Sequence, residues 1–166
     1  MIVVKILMVT AVIMLLHELG HVISAKLMGL PIIDFGIKSK PYPHLYVSTE
    51  RPSNDTQRFI YLSAGMISTL IWCVVLWSLG FLSYPFIMWA FILELALEAN
   101  PFYSDITIAL IAIKIRKKGL INPHESEYNR VIKDHQFSIQ WYIHFTLWTI
   151  LVVSLIKYGK LFVSMS

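Results

Sequence analysis

His17, Glu18 and His21 are the residues whose types and spacing point most directly to chemistry. In the run His17-Glu18-Leu19-Gly20-His21, an i, i+4 spacing on a helix stacks both imidazoles on one face, where two ring nitrogens can bind one tetrahedral Zn²⁺. Glu18 is next to the first histidine, close enough to activate a water at the metal without occupying a ligand position. The same pattern arises by chance on soluble helices, as two surface histidines and a solvated carboxylate. Here it follows a run from Ile2 to Leu16 whose only charged side chain is Lys5. An ionisable group inside a membrane span costs about 2.5 kcal/mol or more on insertion scales, so the cluster reads as a metal site.

A catalytic zinc commonly takes a third protein ligand. The apolar sequence that begins near Tyr84 is interrupted at Asn100-Pro101-Phe102-Tyr103-Ser104-Asp105 before it resumes from Ile106 to Ile115. Pro101 removes a backbone donor and clashes with the preceding turn, so a helix breaks there. Irregular backbone at membrane depth survives only where it is buried in protein or lines a wet cavity, which makes the break the expected other half of the site. Asp105 is the favoured third ligand because it lies at the break, with Glu98 in reserve. Glu94 and Glu98, spaced i, i+4, are also candidates for a proton relay or a partner of a basic group, or one of them is simply protonated or snorkelling. Asn100 either donates to the oxyanion of a tetrahedral intermediate or caps the broken helix. Among the remaining histidines, His124 and His135 read as solvated loop residues and His144 as a packing or interface residue. His44 reads as solvated too, with a contact to the metal or substrate as the alternative.

The elements that must position these groups are membrane spans. Of 166 residues, 57% are hydrophobic and 14% charged, and the mean hydropathy is +0.65, far from the balance of a soluble domain. Four spans are expected: Ile2 to Leu30, ended by Gly29 and Pro31; Arg58 to Phe81; the broken span from Tyr84 to Ile115; and Ser138 to Lys157. In the second, Ser63-Ala64-Gly65 with Ser68 and Thr69 lets helix backbones approach closely. Trp141, Tyr142, Trp148 and Tyr158 read as interfacial or packing aromatics of the last span. Between the first two spans, Pro31, Pro41, Pro43 and Pro52 exclude a continuous helix. Alternating residues Ile32 to Ile37 and Leu45 to Thr49 predict a hairpin or two short strands, whose edge could pair with an extended substrate; an ordinary surface loop is the alternative.

The expected fold is therefore an all-α polytopic membrane protein with a small hairpin-like loop. It forms a single membrane domain over 1–166: a core at 1–115, a polar connector at 116–137 and an additional helix at 138–158. No Gly/Ser-rich or Pro-rich linker divides it. The first apolar segment lacks a basic n-region and an Ala-x-Ala-like cleavage site, and it contains the histidine motif, so it reads as a retained span. Cys73, the only cysteine, reads as a small hydrophobe.

A net charge of +4 could suggest nucleic acid, but the basic residues flank apolar runs instead of forming a stripe with aromatics, so no nucleic-acid partner is expected. They serve as topology signals. The loops after spans one and three carry ten (Lys38, Lys40, Arg51, Arg58, Lys114, Arg116, Lys117, Lys118, Arg130 and Lys133), against Lys5, Lys157 and Lys160 on the other side. The positive-inside tendency then places both termini outside and opens the metal-bearing elements towards the cytoplasm.

The stretch from Leu15 through Lys26, with Gly29-Leu30-Pro31 after it, resembles the first catalytic helix of the site-2 protease family of intramembrane zinc metalloproteases. Asn100-Pro101 to Asp105 is similar to the family's second signature, and Ser63-Ala64-Gly65 to its small-residue motif on the intervening span. Ile106 stands where family members usually carry Gly, and Met66 and Thr69 replace Pro and Asn of the middle motif. The resemblance covers roughly Ile2 to Ile115. It implies one Zn²⁺ on His17, His21 and Asp105 with an open fourth position, and Glu18 as the base that takes a proton from the attacking water and returns it to the leaving amine. It also implies a substrate that is a membrane-embedded peptide or single-span protein, unwound before cleavage. The alternative is a catalytically inactive pseudoprotease or metal-binding membrane protein that binds a partner helix.

Overall fold

The computed structural model describes residues 2–38, 44–50, 54–102, 104–119 and 125–165, without the side chains of 38, 44, 55, 125–129 and 158–165. Pro41, Pro43, Pro52, Tyr103 and His124 lie outside the described residues, as do the side chains of His44 and Tyr158. Helix α1 runs from Ile2 to Leu27 and ends where Gly29 takes φ 69°. There Leu30 N–H donates to the Ala25 carbonyl at 2.9 Å, a left-handed cap that a side chain would strain.

The expected hairpin follows. Strand β1 (Ile32–Lys38) pairs antiparallel with β2 (His44–Thr49), Phe35 opposite Val47. Helix α2 (Asp55–Ser78) begins three residues before the expected boundary, because Asn54 accepts from Gln57 N–H at 2.8 Å and caps it. A 3₁₀ turn at Phe81–Ser83 leads into α3 (Pro85–Glu98), with proline in the first turn, where no backbone donor is needed. Helix α4 (Asp105–Lys117) is capped by the Ser104 hydroxyl, and α5 (Glu125–His135) and α6 (Ile139–Met165) complete the chain.

Among the described residues, three helices are long and apolar enough to cross a membrane: Ile2–Leu27, Thr56–Ser78 and Ile139–Lys157. Their outer faces carry exposed Met8, Val74, Trp77 and Leu147, as suits contact with lipid. Helices α3 and α4 have 14 and 13 residues. At 1.5 Å per residue each is only about 20 Å long, short of the ~30 Å hydrocarbon layer. Among the described residues there are thus three continuous candidate spans where four were expected, and the segment from Tyr84 to Ile115 forms two separate helices, α3 and α4.

Helix α1 packs against both α2 and α3. Gly20 makes the first contact possible: a Cβ there would meet the Ala64 carbonyl and Ser68 Cβ, while Ser68 Oγ donates to the Leu16 carbonyl at 2.6 Å. On the other side, Ile13 joins Ala90 and Phe91 in a buried cluster. The small residues of α2 therefore do what their composition predicts.

The polar connector contains α5, whose Val131 and Ile132 pack on Ile111 and Ile115 of α4. His135 is 1% exposed rather than solvated, and its Nδ1 accepts from Lys114 Nζ at 2.8 Å. Burial lowers the His135 pKa below its ordinary value, and the neighbouring Lys114 charge acts in the same direction. A short amphipathic stripe in polar sequence was enough to form this helix once α4 offered an apolar face.

Candidate metal centre

His17 and His21 project from one face of α1, as their spacing requires. Each ring is oriented by a bond at Nδ1. His21 Nδ1–H donates to the Tyr61 carbonyl at 2.8 Å, and His17 Nδ1–H donates to Glu98 Oε1 at 2.5 Å. A carbonyl or carboxylate oxygen can only accept, so in the neutral form of each ring the lone pair is on Nε2.

The two Nε2 atoms lie 3.2 Å apart, and Asp105 Oδ2 is 3.0 Å from that of His21 and 3.3 Å from that of His17. With both rings neutral, as metal ligands must be, three acceptors converge with no donor between them. A single proton can serve one such pair but not all three edges, whereas a cation at their centre satisfies all of them. With metal–ligand bonds of about 2.0–2.1 Å, neighbouring ligands of a tetrahedral ion lie roughly 3.3 Å apart. The observed triangle has that size, so these three residues fit a metal ion.

His17, Glu94 and Glu98 form a second group of potential ligands. Its 2.5 Å contact between His17 Nδ1 and Glu98 Oε1 is too short for two ligands of one tetrahedral ion and is instead a hydrogen bond. Thr69 Oγ1 donates to the same Glu98 oxygen. Glu98 thus stands behind His17, on the ring nitrogen opposite Asp105. Such outer partners fix the tautomer and direction of a metal-binding imidazole.

Gly65 explains why α2 must be small here. A Cβ at this position would fall on His17 Nε2, His17 Cε1 and His21 Nε2. The bare backbone forms one wall of the ligand pocket. Tyr61, Gly65 and Thr69 share a face at i, i+4 and i+8, and together they receive the His21 Nδ1 proton, leave room for both rings and bind Glu98. Sequence reasoning noted the small residues but missed Tyr61 and the separate tasks of Gly65 and Thr69; the i+4 stripe across from the histidines was the available signal.

A cavity of about 340 Å³ opens beside the triangle. Glu18, Tyr46, Val47, Tyr61, Glu94 and Asp105 are among its lining residues, so Glu18 faces the same space as the three acceptors. Strand β2 closes one side, where the Tyr61 hydroxyl donates to the Val47 carbonyl at 2.8 Å. Asn100 is not among the lining residues. Its Nδ2 donates to the Leu97 carbonyl and its Oδ1 accepts from Phe102 N–H at 2.9 Å, which are capping bonds of the turn between α3 and α4. His144 lies outside the cavity on α6, with Nε2 donating to the Ala99 carbonyl at 3.0 Å.

No protein-family model, curated protein or solved structure matches this chain.

Proposed function

We propose that the chain is an intramembrane zinc endopeptidase of the site-2 protease kind. The observation that carries this reading is the triangle of His17 Nε2, His21 Nε2 and Asp105 Oδ2, with edges of 3.0–3.3 Å, beside a cavity that Glu18 also lines. His17, His21 and Asp105 would hold Zn²⁺, which when bound supplies Lewis acidity, lowering the pKa of water to about 7 and polarising a carbonyl. Glu18 takes the proton of the attacking water and delivers it to the leaving amine. The substrate is a membrane-embedded peptide or single-span protein. Its helical carbonyls are hydrogen-bonded within the helix, so the segment must unwind before attack, and β2 beside the cavity offers backbone to hold an extended piece.

In this reading α3 and α4 together complete a fourth crossing, interrupted at Asn100-Pro101, where Asn100, Pro101 and Ser104 are buried. Both termini then lie on one side, and the excess of Lys and Arg places the site towards the cytoplasm. The test is the purified full chain with its Glu18→Gln variant: the variant is expected to retain one zinc and to lose cleavage of membrane peptides, compared by peptidomics of membranes expressing each. Full activity in Glu18→Gln overturns the assignment.

One observation favours a second reading, a metal-binding membrane protein without turnover that binds a partner helix. The Asn100 amide, expected as an oxyanion donor, makes capping bonds within its own turn. Stoichiometric zinc without cleavage of any membrane peptide supports this alternative.

A further inference from the structure

The break between α3 and α4 releases backbone carbonyls that a continuous helix would satisfy, because Pro101 has no N–H and α3 ends at Glu98. In apolar surroundings each needs another donor. The Leu97 carbonyl receives Asn100 Nδ2, and the Asn100 carbonyl receives Ser104 Oγ at 2.5 Å and Thr107 Oγ1 at 3.1 Å. Two others are satisfied from outside. Trp148 Nε1–H donates to the Ala96 carbonyl at 2.8 Å, and His144 Nε2–H donates to the Ala99 carbonyl at 3.0 Å.

Both donors come from α6, the helix that lies beyond the resemblance, and they are spaced i, i+4 so that one face meets successive turns of the α3 terminus. The same face carries Trp141 and Phe145, whose rings contact Phe102 of the turn edge-on at 5.4 and 6.5 Å between centroids. Among the described residues His144 Nδ1 is buried without a partner, and the ring's polar contact there is the N–H given to Ala99. The gripped segment ends in the two acids that hold His17: Glu98 at Nδ1 and Asp105 near Nε2.

We propose that α6 is a positioning element of the metal centre, with His144 and Trp148 fixing the turn that sets Glu98 and Asp105 against His17. This rests on the reading of His17, His21 and Asp105 as metal ligands. A metal site tolerates displacements of only about half an ångström, so a turn freed from these two donors no longer presents Asp105 Oδ2 at ligand distance.

The test uses the full chain in lipid nanodiscs with Co²⁺, whose visible absorption reports the number and symmetry of its ligands. Trp148→Phe with His144→Leu removes both donors and keeps apolar bulk. This pair is expected to weaken Co²⁺ binding at least tenfold and alter the band, while His144→Gln alone, which keeps an N–H, stays near the parent chain. Thr149→Val, at an exposed position whose hydroxyl bonds Phe145 within its own helix, is the comparator and is expected to change neither readout. Parent-like affinity and spectrum in the double variant, or a loss confined to metal-free thermal stability, overturns the proposal. Should the double variant fail to fold, Trp148→Phe alone decides by the same two readouts. Absence of Co²⁺ binding by the parent chain overturns the metal-site reading and this proposal with it.

Discussion

Glu98 Oε1 lies 2.5 Å from Nδ1 of His17, 81 residues earlier in the chain, and Asp105 Oδ2 lies 3.3 Å from Nε2 of the same ring. One imidazole is therefore held between two carboxyl groups with different tasks. Asp105 stands where a metal ligand would, and Glu98 stands where a carboxylate would direct the ring. The two are distinguishable by substitution. Asp105→Ala is expected to abolish stoichiometric zinc, whereas Glu98→Ala should retain a site of about 10–100-fold lower affinity, as outer partners of ligand histidines typically do. Competition with a chelator of known affinity measures both, and retention of tight binding in Asp105→Ala with its loss in Glu98→Ala would reverse the roles.

Gly65→Ala probes the room at the centre. Alanine is the better helix former, so α2 itself should not suffer. The added methyl nevertheless falls on the Nε2 atoms of both His17 and His21. Zinc content by mass spectrometry is expected to drop to background while circular dichroism stays helical. Normal zinc content would mean that the histidines lie farther from α2 than described.

Gly20→Ala tests packing instead of ligation. Its Cβ would collide with the Ala64 backbone and Ser68, neither of which can rotate away, so α1 and α2 must separate. Overpacking of this kind costs about 1–3 kcal/mol. The expected result is a lower thermal midpoint in detergent, and an unchanged midpoint counts against the close α1–α2 contact.

The contact of α5 with α4 should depend on pH. His135 has its pKa lowered by burial, and next by the Lys114 charge, from the ordinary 6.5. The unfolded segment then binds the extra proton first, so the contact is fully stable above pH 6.5 and weakens as pH falls below it, until the buried ring also protonates. Hydrogen-exchange protection of residues 125–135, corrected for the intrinsic fall of the exchange rate with pH, is expected to decrease as pH drops below 6.5, and His135→Leu should remove that decrease. Equal protection at pH 7.5 and 5 in the parent chain would contradict it.

Much was legible in the chain. The i, i+4 spacing put His17 and His21 on one face, because a helix of 3.6 residues per turn allows nothing else. Long apolar runs marked the candidate spans, alternating residues marked β1 and β2, and Pro101 marked a helix end, since a missing N–H and a steric clash act locally. Boundaries shifted where a cap intervened, as Asn54 does at α2.

What the sequence by itself determined was local: which residues share a helix face, which stretches suit lipid and where a helix must end. Only the tertiary structure decided which carboxyl meets which ring nitrogen, that Gly65 is the wall behind both imidazoles, that the Asn100 amide bonds within its own turn, and that His135 is buried at the end of α5. The reason is physical. Spacing and composition act over one or two turns of backbone, whereas a contact such as His17 with Glu98 depends on how α1, α2 and α3 pack, and several packings share the same periodicity.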